Sequence, residues 1–96
     1  MTRASVERRL TEVADRLRTL RGDLAVADEQ LQHFSEIADD TRLRALVSET
    51  PIADREFQEA ERHAEAMRRH REEVRSEIDQ LEERQDELLD RLLADT

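Results

Sequence analysis

The chain has no cysteine, tryptophan or tyrosine, one glycine, one proline and two phenylalanines. Without cysteine there can be no disulfide, thiol nucleophile or thiolate metal site, and the redox compartment is left open. A single glycine, Gly22, rules out a glycine-rich phosphate loop. It sits at an outward helix position, where tolerance at about 1 kcal/mol relative to alanine is a simpler reading than close approach of a partner. No apolar run is long enough to span a bilayer, and the segment from Met1 to Leu10 carries three arginines without an apolar signal core. These absences point to a cytoplasmic location. Lysine is absent too, so all sixteen basic residues are arginine; a G+C-rich coding genome accounts for that more simply than a selected physical property.

What remains is 96 residues, 43% charged and 36% apolar, carrying a net charge of −9. That is one domain at most, with its apolar surface confined to a stripe instead of a globular core. The composition favours long helices. The negative charge opposes generic binding to nucleic acid or anionic membrane, which both depend on a basic surface, so the expected partner is another protein.

Two heptad seams account for most of the apolar residues. The first runs Val6, Leu10, Val13, Leu17, Leu20, Leu24, Ala27, Leu31, Phe34 and Ala38, with spacings alternating between four and three. The second runs from Ala53 and Phe57 through Ala60, Ala64, Met67, Arg71, Val74, Ile78, Leu81, Gln85, Leu88 and Leu92. Such seams need a coiled-coil partner. Between them, Ser48-Glu49-Thr50-Pro51 reads as a stop and restart, because proline cannot continue a helix but suits the first turn of the next. Thr50 is the first choice for N-cap and Asp54 the second. The expected organisation is a single helical hairpin over 1–96: helix one at about 3–47, a turn at 48–51 and helix two at about 51–94. Asp39-Asp40-Thr41 predicts a local stutter in an otherwise continuous first helix, since the seam loses phase at Leu43, Leu46 and Val47.

Charge selects the orientation. Residues 1–21 hold six arginines against three acids, and residues 23–40 hold six acids and no arginine. Residues 62–75 hold five arginines against three acids, and residues 77–95 eight acids against two arginines. Folding back at Thr50-Pro51 sets each positive block against a negative one, whereas a parallel dimer would stack like on like. Single exposed pairs are worth only ~0.2–0.5 kcal/mol, so orientation follows from their sum. The reading is an all-α antiparallel two-helix coiled-coil hairpin, which could dimerise into a four-helix bundle. A tight turn pairs Leu10 with Leu88, Leu24 with Val74 and Phe34 with Ala64, and brings Arg21 near Arg75. A one-heptad slip would put Arg21 by Glu82, Asp28 by Arg75 and Arg42 by Glu61, but needs a longer tip. The tight turn is favoured.

Little in this pattern carries chemistry. His33, His63 and His70 are the only histidines; His33 and His70 fall at similar heights, as a metal or pH-sensing pair would, but solvated surface histidines are the simpler account. The many carboxylates have no dry pocket in which to act as acid or base. The expectation is a protein that is not an enzyme, with no catalytic residue, metal or cofactor. Arg71 and Gln85 occupy core positions, where polar residues specify register, and Arg71 can reach Asp23 or Asp28. Apolar residues beyond the seam mark two candidate partner surfaces. At the tip are Leu46, Val47, Pro51, Ile52 and Phe57, with Leu43 beside them. At the open end, Leu89 and Leu93 widen the stripe beside Leu88 and Leu92, which suits partner binding or self-association as a homodimer.

In outline the chain resembles the coiled-coil hairpins of Gre-type transcript cleavage factors, with Glu49, Asp54 and Glu56 as acids near the tip. It also resembles coiled-coil anti-sigma factors, although from Glu72 and Ser76 the residues Asp79, Glu83 and Glu87 do not continue their helix motif. The leading expectation is a protein–protein interaction module or small adaptor; the alternative is a regulator of the transcription machinery that binds a sigma factor or polymerase.

Overall fold

A computed structural model of the chain describes residues 1–94. Two helices, α1 (Arg3–Ser48) and α2 (Pro51–Ala94), pack against each other as an antiparallel hairpin. There is no strand among the described residues, and no helix is long and apolar enough to cross a membrane.

Local chemistry sets the helix ends. Thr2 caps α1: its hydroxyl oxygen accepts from the Ser5 N–H at 3.1 Å. Thr50 does the same for α2, accepting from the Ala53 N–H at 3.2 Å, and Pro51 fills the first helical position, where a missing N–H forfeits nothing. Asp54 adds an acid to the first turn of α2, where it complements the helix dipole. The reversal depends on Glu49, whose φ of 51° puts a non-glycine residue in the left-handed region. There its N–H donates to the Ala45 carbonyl at 3.1 Å, closing the last turn of α1.

The chain divides into two compact units. In the open-end unit, Met1–Leu24 packs against residues 74–94. Its core is Leu17, Leu20, Val74 and Ile78, with Val13, Leu24 and Leu81 packed around it. In the tip unit, Ala25–Glu73, the core is built from small residues: Ala38, Ala60 and Ala64, with Phe34 against them. Both cores follow the tight register, and the connection between helices is only Glu49 and Thr50.

The first helix does not stutter. Beyond Ala38 the seam continues in phase through Thr41 and Ala45, both buried, while Leu43, Leu46 and Val47 lie outside it and are exposed. Thr41 can occupy a core position because its hydroxyl donates to the Ile37 and Ala38 carbonyls at 2.9 and 3.0 Å. A buried hydroxyl satisfied in this way carries no desolvation penalty large enough to break the helix.

A side chain at Gly22 would meet open space, so Gly22→Ala should raise stability by about 1 kcal/mol. Glu49→Gly should add about 0.5 kcal/mol by relieving the left-handed backbone, net of the extra freedom glycine gives the unfolded chain. Urea unfolding followed by circular dichroism measures both; a loss of stability in either variant would contradict this account of the helix and its turn.

Candidate interaction surfaces

A helix pair with one seam sorts its apolar residues into those the partner helix covers and those it cannot reach. Leu88 is completely buried within the hairpin, and Leu92 is half-buried. These two open-end candidates therefore belong largely to the seam. Leu89 and Leu93 stand outside it at 42% and 69% exposure. At the tip, Leu43, Leu46, Val47 and Ile52 are 63%, 66%, 84% and 67% exposed, Pro51 is exposed, and Phe57, a seam residue, is half-buried. The tip thus presents four strongly exposed aliphatic side chains within ten residues, and the hairpin buries none of them.

The two polar seam residues, Arg71 and Gln85, sit where the heptads put them. Arg71 is partly covered, its side chain one-third exposed, and it forms ion pairs with Asp28 across the helix pair and with Glu72 at 3.0 Å. The hydrogen bond to Asp28, then that residue's charge, hold the Arg71 guanidinium above its usual pKa. Asp28 is one of the two acids within reach on sequence grounds, and none of the pairs required by the slipped register forms among the described residues. Instead Arg75 pairs with Asp79 at 3.4 Å, and Glu61 with Arg68 at 3.7 Å. Gln85 is half-buried in the open-end seam.

In the open-end unit, Arg16 pairs with Glu77 across the helices at 2.9 Å. The two cross-helix pairs run in opposite senses: a basic residue of α1 meets an acid of α2 in one unit, and an acid of α1 meets a basic residue of α2 in the other. That is the block pattern predicted for an antiparallel fold. With both side chains about half exposed, Arg16–Glu77 is worth about 0.2–1 kcal/mol, so it selects orientation more than it adds stability.

All three histidines are exposed. His33 and His63 each meet Phe34 edge-on, at ring-centroid distances of 5.5 and 5.8 Å. Phe34 thus touches one imidazole from each helix, contacts that heptad spacing alone did not show. Among the described residues, no group of three or more His, Asp or Glu is placed to hold a metal ion. A shallow groove of about 430 Å³ runs between Phe34, Ile37 and Ala60, edged by Arg44, Glu56 and His63. It exists because Ala60 and Thr41 are too short to fill the flank of the helix pair.

Comparison of the chain with protein-family models, curated proteins and solved structures finds no match. The surfaces themselves therefore carry the functional argument.

The difference between seam and surface is measurable. Leu88→Ala should destabilise the hairpin by about 2–5 kcal/mol, as expected for a buried leucine left as a cavity, while Leu46→Ala should change stability by no more than about 0.5 kcal/mol. Equal effects in denaturant unfolding would contradict the assignment of one residue to the core and the other to a free surface.

Proposed function

We propose that the chain is a non-enzymatic protein–protein interaction module, a coiled-coil hairpin that docks on a larger protein through its tip. The observation that carries this reading is the exposure of Leu43, Leu46, Val47 and Ile52, each more than three-fifths open to water. Covering such a side chain fully is worth about 1.5–3 kcal/mol, so a partner that covers several of them gains enough to bind with useful affinity. Apolar clusters rimmed by charge on a small protein are a recurrent mark of interaction sites.

A larger partner is favoured over a second copy. Residues 25–73 hold thirteen acids against seven arginines, so two tips brought together repel each other. Lateral pairing into a four-helix bundle would need a wider apolar stripe, but the positions flanking the seam are mostly charged, among them Arg9, Arg16, Asp28, Arg44, Glu56, Arg68, Arg75 and Glu82. The transcription-regulator reading ranks second, because the exposure that distinguishes the tip belongs to aliphatic side chains and not to Glu49, Asp54 or Glu56.

The test places a benzophenone-bearing residue at Val47, and separately at Leu89, for photo-crosslinking in cells. The crosslinked protein is then purified and titrated with the unmodified hairpin and with Leu46→Glu/Val47→Glu. A discrete adduct from position 47, and binding weakened at least about tenfold by the double substitution, is the expected result. Adducts only from position 89, or a double variant that binds equally well, would overturn the proposal.

A further inference from the structure

The exposed tip residues on α1 have a spacing of their own. Leu43, Leu46 and Val47 lie at i, i+3 and i+4, which places them on one face of the helix. The seam residues Ala38, Thr41 and Ala45 occupy a different face and are buried. The last turns of α1 are therefore amphipathic twice over, with an inner stripe used by α2 and an outer one left to water. The i, i+3, i+4 pattern is that of a helix anchored in another protein's apolar surface.

The charge on the outer face is negative on balance. One and two turns before the anchors, Glu36, Asp39 and Asp40 share that face, and all three are exposed. Arg44, four residues beyond Asp40, forms an ion pair with it, and the hydrogen bond with Asp40, then that residue's charge, raise the Arg44 pKa. Glu36 accepts a hydrogen bond from Gln32 at 3.3 Å, which leaves its charge uncompensated. The surface is thus an aliphatic patch continued along the helix by net negative charge.

Resting on the docking reading above, we infer that the outer face of α1 over residues 36–47 takes a basic amphipathic helix of the partner protein, whose apolar stripe covers Leu43, Leu46 and Val47 while its arginines or lysines lie along Glu36 and Asp39. A helix that matches only the apolar stripe loses the electrostatic part, and an acidic one is repelled. A second hairpin is a poor occupant for the same reason.

The probes are two synthetic helical peptides with the same leucine face, one flanked by lysines and the other by glutamates, titrated into the intact hairpin by fluorescence anisotropy. The lysine peptide should bind at least about tenfold more tightly, lose most of that advantage on moving from low to high salt, and lose binding with Leu46→Glu/Val47→Glu. Glu36→Gln/Asp39→Asn, which leaves the seam and the Asp40–Arg44 pair untouched, should narrow the gap between the peptides. Equal binding of both peptides, or an affinity indifferent to salt, overturns the inference. So does binding that survives in the Leu46→Glu/Val47→Glu variant, or a hairpin that is dimeric by light scattering and becomes a folded monomer in that variant, which would show a second copy already covering this face. If neither peptide binds while the crosslinked partner still docks through position 47, the basic-helix chemistry is wrong and the docking function stands.

Discussion

Everything in this molecule depends on a seam only two residues wide in every seven. Such a stripe can be closed by one other helix and no more, so once α1 and α2 cover each other the apolar capacity of the fold is used up. Each residue off the seam must then tolerate water, which is why the flanks are charged and why a few uncharged exceptions stand out. The seam also varies in width: Leu17, Leu20, Ile78 and Leu88 fill the open-end unit, while alanines at 38, 45, 53, 60 and 64 line the tip unit. Small residues bring two backbones close but bury little area, so the tip unit gains less from packing than the open-end unit does.

Electrostatics and packing divide the work between them. The apolar seam supplies the free energy but would accept either helix direction; alternating charge blocks supply the direction and little free energy. The cross-helix pairs Arg16–Glu77 and Asp28–Arg71 are the points where this division can be seen. Arg71 joins the two roles, with its stem inside the seam and its guanidinium at the edge, where Asp28 can reach it. A purely apolar residue there would pack as well and would lose the contact with Asp28.

Much of this was legible in the sequence because heptads, proline and charge blocks are strong signals. The hairpin, the restart at Thr50-Pro51 and the reach of Arg71 to Asp28 across the helix pair all follow from them. The predicted stutter after Asp39-Asp40 failed for an instructive reason. Leu43, Leu46 and Val47 are more conspicuous than Thr41 and Ala45, so apolar character alone pointed to a shift of phase, whereas the seam ran on through the smaller residues. The i, i+3, i+4 spacing of the conspicuous three was the available clue that they belong to a second, outward stripe. The Thr2 cap, the left-handed Glu49 and the Phe34–His63 contact depend on backbone geometry and side-chain direction, which periodicity does not encode. At the open end, the spacing that placed Leu88 in the seam opposite Leu10 already argued against offering it to a partner, and the hairpin buries it completely.

The account requires that the seam close within one chain and in one register, because only then is the outer face of α1 left for a partner. Intrachain disulfide formation tests this most directly, comparing Leu24→Cys/Val74→Cys with Leu24→Cys/Leu81→Cys under mild oxidation, with products resolved by mass. The account predicts a rapid intrachain bond in the 24/74 pair and little in the 24/81 pair, which is displaced by one heptad. Preferential bonding of 24 to 81, or products that are mainly interchain, would contradict it.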